Sequence, residues 1–249
     1  METAEIKNGI PADETIGGIV TKDIRKASVF RKYGIDFCCG GKRTLQQVCT
    51  DKNIDIISLE ADLLESEKGK SGLPVNAGQW SAGFLADYIV EIHHAYVKKV
   101  IPELTAWSEK VARVHGLEHP ETVQVQKLFS NVCDELESHM VKEENVLFPY
   151  IKMLDEAKKL GRPASRPGFV TVKNPISMME HEHEYVGELI MKIQKLTNNY
   201  MPPQGACNTF RALYSALKDF EDDLFLHIHL ENNILFPKAE QLERELKPE

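Results

Sequence analysis

Apolar residues recur at helical spacing over the last two thirds of the chain. After Ser81, which we expect to cap a helix, Phe84, Leu85, Tyr88 and Ile89 follow at steps of one, three and four residues, the pattern of an amphipathic helix. The pattern and its turn signals predict four long helices, over about residues 81–114, 120–160, 174–200 and 208–246. Two hairpins joined by a loop predict an antiparallel four-helix bundle, in which a proline at position 102 bends or divides the first helix.

The first 66 residues follow a different pattern of short segments. We expect Thr21 to cap a helix that reaches Tyr33, either Thr44 or Lys42 to open a second helix, and Ser58 to cap a third. Residues 68–74 combine small, charged and helix-breaking side chains and predict a linker. The predicted fold is therefore all-α, with a small helical N-terminal domain over residues 1–72 and a bundle over residues 78–249.

One sequence pattern occurs twice, at His139–Pro149 and again at His227–Pro237. In each copy a histidine and a glutamate stand four residues apart, ahead of an aliphatic-Leu-Phe-Pro ending, and the two copies are offset by 88 residues (227 minus 139). Because residues four apart share one face of a helix, each copy presents an imidazole and a carboxylate together.

Two further histidines complete the pattern. His94 and His183 are 89 residues apart (183 minus 94), and each lies about as far before its hairpin turn as the repeated histidine lies after it. Since antiparallel helices rise equally, all four imidazoles should lie at one level of the bundle. The sequence predicts a dinuclear site in which two glutamates bridge two metals and two histidines cap each metal; mixed nitrogen and oxygen ligands suit iron or manganese, and also admit zinc. The predicted ligands are His94, His139, Glu143, His183, His227 and Glu231.

Other polar residues have no counterpart in the repeat. We expect supporting or surface positions for His93, His181 and His229. His115 and His119 flank the first hairpin turn and should be exposed to solvent. Glu135 and Glu182 should lie either on the access route to the metals or on a solvated face.

Five cysteines, an odd number, do not make a disulfide framework. Cys38 and Cys39 are adjacent and precede two glycines, so backbone amides of the turn could favour a thiolate that passes iron or an NO group or is oxidised reversibly. The alternative is that both are small buried apolar residues, which we expect of Cys133 and Cys207. A net charge of -8, from 30 basic and 38 acidic residues, and the lack of a basic run argue against a nucleic-acid partner. No signal peptide or membrane segment is visible, which favours the cytoplasm.

At these residues the chain resembles the RIC (repair of iron centres, YtfE/ScdA-type) family. Single histidines on the first and third helices, with His-x-x-x-Glu on the second and fourth, are similar to its hemerythrin-like domain, and residues 36–41 with Leu45 are similar to the ScdA-type domain that precedes it. Oxygen-carrying hemerythrins typically have a further ligand, whereas the position four after His183 is Gly187. The resemblance implies a cytoplasmic homodimer with two non-haem irons, in an oxo- or hydroxo-bridged di-iron centre, that restores iron-sulfur clusters damaged by nitric oxide or oxidants.

Three functions are compatible with such a centre. The first is cluster repair, with damaged iron-sulfur proteins as partners and Cys38 and Cys39 in a chemical role. The second is an enzyme that reduces nitric oxide at the irons, with the two cysteines relaying electrons. The third is a sensor module that binds oxygen or iron; iron storage has the least support, since nothing in the sequence indicates a shell-forming assembly.

Overall fold

A computed structural model of the chain describes residues 10–66, 77–164 and 168–246. It divides into two compact units, one of residues 1–80 with the segment 229–234 (the N-terminal unit) and one of residues 81–228 with 235–249 (the bundle unit). The linker predicted at residues 68–74 lies outside the described residues. In the described part of the chain the only pairing of β type is a single bridge between Thr15 and Thr44, so the all-α prediction is confirmed.

Within its described residues up to position 66, the N-terminal unit contains four short helices: α1 (Ile16–Lys22), α2 (Lys26–Lys32), α3 (Leu45–Lys52) and α4 (Ile56–Glu65). A 3₁₀ turn follows at Ala77–Gln79. Each helix buries one apolar side against the others, which explains why seven to ten residues suffice for a stable element in this context. The largest fully buried side chains of this core are Ile16, Phe30, Phe37, Leu45, Leu59 and Leu63.

The caps decide where these helices begin. Thr44 caps α3 through a reciprocal capping box with Gln47, as predicted. The prediction for Thr21 is wrong, because Thr15 caps α1 and Thr21 lies inside that helix, where its hydroxyl donates to the Gly17 carbonyl. Ser58 is also not a cap, since Asp55 three residues earlier accepts the hydrogen bond from its backbone N–H. In both cases a residue earlier in the sequence, Thr15 or Asp55, is the N-cap instead of the predicted one.

In the described residues the bundle consists of four long helices, three of which contain a π-helical turn; residues 229–234 of the fourth helix are the segment assigned above to the N-terminal unit. The first bundle helix consists of Ala82–Tyr88, the π turn Ile89–His94 and Ala95–His115. The second consists of Glu121–Lys142, the π turn Glu143–Leu147 and Phe148–Lys159. The third is Lys173–Leu196 without interruption. The fourth consists of Asn208–Leu230, the π turn Glu231–Leu235 and Phe236–Leu246. The predicted four-helix bundle is confirmed.

The ends of the bundle helices follow the sequence closely. Ser81 caps the first bundle helix and accepts a hydrogen bond from the Phe84 N–H, as predicted. Of the two effects predicted for Pro102, the division is wrong, because the α-helix runs through this residue from Ala95 to His115, and the bend stays a prediction. Pro102 is exposed, so water can hydrogen-bond the carbonyl that its missing N–H leaves without an intrahelical donor. None of the helices in the described part of the chain combines the length and apolarity that spanning a bilayer requires.

Candidate metal centre

All six residues predicted as ligands are buried. Their exposed fractions are 0–2%, although every one carries a polar or charged group. Burial of this kind is costly unless the groups are paired or bind a metal. The six residues are His94, His139, Glu143, His183, His227 and Glu231.

The side chains converge into two overlapping clusters. His94 and His227 form one cluster with both glutamates, and His139 and His183 form the other with the same two glutamates. Within each cluster the potential ligand atoms lie within 4.8 Å of one another. Glu143 and Glu231 therefore belong to both clusters, which is the arrangement that two bridging carboxylates require.

The distances place Glu143 between the two histidine pairs. Its Oε2 lies 3.3 Å from His94 Nε2 and 3.3 Å from His139 Nε2. The Nε2 atoms of His94 and His227 are 3.2 Å apart, and those of His139 and His183 are 3.0 Å apart. In both pairs the imidazoles therefore face each other through Nε2, the atom that each would offer to a metal.

A carboxylate fixes the tautomer of His94. Glu144 Oε1 lies 2.8 Å from His94 Nδ1 and also accepts from Lys98 Nζ at 2.7 Å. Burial opposes ionisation, but the hydrogen bonds from Lys98 and His94 lower the pKa of Glu144 below its ordinary value. An ionised carboxylate can only accept, so His94 Nδ1 donates, and its Nε2 keeps a lone pair that faces the cluster.

The second cluster repeats this arrangement. Glu182 accepts from His139 Nδ1 at 2.9 Å and from Lys142. Burial alone would raise the pKa of Glu182, but the hydrogen bonds from His139 and Lys142 lower it to about 2. His139 Nε2 is consequently also ready to act as a ligand. Carboxylates that orient ligating histidines in this way are a general feature of protein metal sites.

This donor set fits a cation. With Nδ1 as the donor in His94 and His139, each brings an electron pair on Nε2 to the centre, where the two glutamates are shared. Imidazole nitrogen and carboxylate oxygen suit iron, manganese or zinc. Two phenylalanine rings stack on histidines of the site: Phe148 on His94 with ring centroids 5.8 Å apart, and Phe236 on His183 with centroids 6.1 Å apart.

His93 supports the cluster from a neighbouring position. Its Nδ1 lies 2.9 Å from Asp223 Oδ1, and its ring stacks on His227 at 5.6 Å with an interplanar angle of 9°. Tyr88 meets the same ring edge-on at 5.7 Å. The predicted supporting position of His93 is confirmed, and its carboxylate partner on the fourth bundle helix could not be identified from the sequence.

The chain is similar to known proteins over most of its length. Residues 85–239 match the hemerythrin HHE cation binding domain, and residues 12–67 match ScdA_N, a domain of unknown function (DUF542). Proteins named iron-sulfur cluster repair protein YtfE from Musicola paradisiaca and Pectobacterium atrosepticum are each 39% identical over 230 residues, which is 91% of this chain and 96% of the relative. The YtfE protein of Yersinia pestis is 38% identical over 232 residues. This chain belongs to the YtfE family of iron-sulfur cluster repair proteins.

In this YtfE-family chain the cysteine pair lies on a turn that Asp36 organises. The Asp36 carboxylate accepts hydrogen bonds from the backbone N–H groups of Cys38, Cys39 and Gly40, at 2.9, 3.0 and 2.9 Å. The hydrogen bond with Cys39 and burial raise the pKa of the Cys38 thiol well above its ordinary value. The expectation that the turn amides favour a thiolate at Cys38 is therefore wrong, because the amides bind the Asp36 carboxylate instead. The chemical role of Cys38 and Cys39 stays a prediction.

Segment 229–234 contributes to the N-terminal unit of this YtfE-family chain. Asn233 Nδ2 donates to the Cys38 carbonyl at 2.9 Å, and the His229 ring contacts Phe37 with centroids 5.8 Å apart. Burial lowers the pKa of His229 to about 4, although a hydrogen bond with the Phe37 backbone opposes this shift. His229 is therefore neutral near pH 7 and supports the turn that carries the cysteines.

The remaining candidates are distributed as follows. His181 is exposed, as one of its predicted alternatives states, and Glu135 is half-buried. Among the cysteines, Cys133 is buried as predicted, whereas the prediction for Cys207 is wrong because that residue is exposed. The predicted exposure of His115 and His119 is also wrong, since both are half-buried and pack against Phe210.

The sequence does not identify three polar residues around the centre as partners of its histidines. Glu144 directly follows a predicted ligand, and Asp223 lies 130 positions from its partner His93. For Glu182 the sequence indicates only a place on the access route or on a solvated face, and not its contact with His139. The sequence does contain one signal, because a lysine follows His94 by four residues and His139 by three, and both lysines bind the carboxylate that holds their histidine.

Proposed function

We propose that this chain repairs iron-sulfur clusters damaged by nitrosative and oxidative stress, and that a di-iron centre in the bundle supplies the iron. The observation that carries the proposal is the sharing of Glu143 and Glu231 between two pairs of facing histidines. The names of the relatives support the same role, since each is called an iron-sulfur cluster repair protein.

The donor set explains why iron held here can be passed on. When bound, two irons in this set would supply one-electron chemistry and a source of iron. Imidazoles and carboxylates hold ferrous iron without any thiolate, whereas the clusters of recipient proteins offer soft sulfur ligands. Transfer of iron from these nitrogen and oxygen ligands to sulfur would then be favourable, and Glu143 and Glu231 would hold the iron in the bundle until that transfer.

The charge of the set also fits its task. Two divalent irons bring four positive charges, and the two shared glutamates supply two negative ones, so the centre retains a net positive charge. This charge would favour an anion such as hydroxide, and in our proposal nitric oxide or oxygen takes a coordination position that the protein ligands leave open. By the family relationship we also propose that the chain acts in the cytoplasm as a homodimer, with damaged iron-sulfur proteins as its partners.

The test combines Glu143→Leu with Glu231→Leu. The variant and the wild type are purified from iron-replete cells, and iron per chain is measured with the optical and Mössbauer spectra. Each protein is then added to a [4Fe–4S] dehydratase that nitric oxide has inactivated, and recovery of the dehydratase activity is followed. We expect the variant to lose most of its iron and its ability to restore activity, because both metal positions lose the ligands that they share.

Glu184→Leu is the matched control, because Glu184 is exposed on the third bundle helix next to His183. The control should keep both the iron and the repair activity, and circular dichroism should show that all three proteins are equally helical. Normal iron content in the double variant would contradict the site. Loss of iron with undiminished repair would contradict the function while leaving the site intact.

A further inference from the structure

A second group of potential metal ligands lies in the N-terminal unit. Asp36, Cys38 and Cys39 each offer one ligand atom, and the three atoms lie within 4.8 Å of one another. Asp36 is exposed and Cys39 is half-buried, while Cys38 is 4% exposed. The group is thus open to solvent on one side and anchored in the core on the other.

The turn holds these three side chains in place before any metal arrives. Three backbone N–H groups bind the Asp36 carboxylate, two of them at Oδ1 and one at Oδ2. Oδ2 therefore keeps a lone pair for a further ligand bond. At Gly40 a Cβ would lie 2.8 Å from the Asp36 carbonyl oxygen, so glycine is needed for the chain to close around the carboxylate. Such preorganisation reduces the cost of binding.

The separation of the two sulfurs matches a shared metal. Cys38 Sγ and Cys39 Sγ lie 4.0 Å apart. Two thiolates bound to one tetrahedral metal at about 2.3 Å each would lie about 3.8 Å apart. Both cysteines are free thiols, so each could become a ligand by the loss of one proton and a shift of a few tenths of an ångström.

We propose that Asp36, Cys38 and Cys39 form a second metal site, which takes one divalent first-row transition ion of borderline softness, such as Fe²⁺ or Zn²⁺. One divalent ion replaces two thiol protons, which pass to water or buffer, and forms two metal–sulfur bonds and one metal–oxygen bond. Three protein ligands leave a fourth position open, as in metal sites that exchange ligands. This site does not depend on the repair function proposed above.

The test uses Co²⁺ as a spectroscopic probe on the full chain, with the bundle already loaded with iron and under anaerobic conditions. Thiolate-bound Co²⁺ gives a near-ultraviolet sulfur-to-cobalt charge-transfer absorption, which neither imidazole nor carboxylate ligands can produce. We expect this absorption to saturate at one Co²⁺ per chain, with release of two protons that a pH indicator in weak buffer records. Zn²⁺ should then displace the Co²⁺ and abolish the absorption.

Variants assign the absorption to these residues. Cys38→Ser combined with Cys39→Ser should abolish it, and Asp36→Asn, whose side-chain oxygen can still accept backbone hydrogen bonds, should weaken Co²⁺ binding by at least about 10-fold. Cys207→Ser, which removes an exposed thiol elsewhere in the chain, should leave binding unchanged. Circular dichroism confirms that each variant is folded. Absence of the absorption in the wild type, its persistence in the double serine variant or its loss in Cys207→Ser would each overturn the proposal.

Discussion

Glu144 offers the sharpest test of how the metal centre is built, because it contacts a candidate ligand without being one. Its carboxylate holds His94 in the tautomer that leaves Nε2 available, through a 2.8 Å contact with Nδ1. Glu144→Ala removes this acceptor and leaves a buried imidazole N–H without a partner, which costs about 1–3 kcal/mol. Removal of such an outer carboxylate typically lowers metal affinity by about 10–100-fold.

The structure indicates which end of that range applies. The Glu144 side chain is 25% exposed, so in the alanine variant a water molecule can enter and accept from His94 Nδ1. We therefore expect a loss of about 10-fold, equivalent to about 1.4 kcal/mol. Glu144→Gln keeps a side-chain oxygen that can accept the same hydrogen bond, and its loss should be smaller, about 3-fold.

The assay is competition for Fe²⁺ against a chromophoric chelator under anaerobic conditions. Lys98→Met is the matched control, because it removes the other partner of Glu144 but leaves the contact with His94 in place. Lys98 is 52% exposed, and an exposed ion pair contributes at most about 1 kcal/mol, so this variant should lose less than the alanine variant. Equal affinity in Glu144→Ala and wild type, or equal losses in Glu144→Ala and Lys98→Met, would refute the tautomer argument.

Two further predictions concern stability. Gly41→Ala should destabilise the N-terminal unit by about 1–3 kcal/mol, because the added Cβ would lie 2.7 Å from the Phe37 carbonyl oxygen. Gly187→Ala lies in the middle of a helix, where the added Cβ would have nothing within 4 Å, and it should stabilise the chain by about 0.5–1 kcal/mol. Thermal unfolding measures both changes, and an unchanged Tm in Gly41→Ala would contradict the first prediction. Burial alone would raise the pKa of Asp155, but hydrogen bonds from Lys159, Ser81 and the Gly83 backbone lower it below its ordinary value. The ionised Asp155 therefore stabilises the fold above the unfolded pKa of about 3.9, and this stabilisation is lost as pH falls through the lower folded pKa. The urea concentration at the unfolding midpoint should therefore fall less in Asp155→Asn than in the wild type between about pH 5 and pH 3. Parallel pH profiles of the two proteins would contradict this prediction.

The convergence of the six predicted ligands could be predicted because it depends only on regular helical geometry. Helical rise fixes the level of His94 opposite His139, and the repeated spacing fixes the face on which Glu143 and Glu231 lie. Neither argument needs a side-chain conformation. The outer carboxylates could not be predicted in the same way, because Glu144 and Glu182 bind histidines 50 and 43 positions away on other helices. Such pairings depend on how each helix is rotated about its axis, which the apolar pattern defines only to within a broad face.

The turn that carries Cys38 and Cys39 shows a different limit of prediction from sequence. Gly40 and Gly41 predict a turn, but the sequence does not show which acceptor the amides of that turn bind. Asp36 lies only two residues before Cys38 and reaches three N–H groups at once. A short polar side chain that satisfies the backbone locally is a common feature of turns. The expected effect on Cys38 is reversed, because the hydrogen bond with Cys39, burial and the nearby Asp36 carboxylate raise the pKa of its thiol.

The π turns account for a part of the repeat that the ligands alone do not explain. Each copy continues past its glutamate to Leu-Phe-Pro, and the glutamate begins a π turn in both copies. In an unbroken α-helix Phe148 would lie five residues, or about 140° around the axis, from Glu143. The π turn instead bonds the Phe148 N–H to the Glu143 carbonyl, which brings the two residues one above the other. Phe148 then stacks on His94, and Phe236 in the other copy stacks on His183. The repeat therefore specifies two features on each of these helices: a carboxylate that belongs to both histidine clusters and, one π turn later, the ring that stacks on a histidine of another helix.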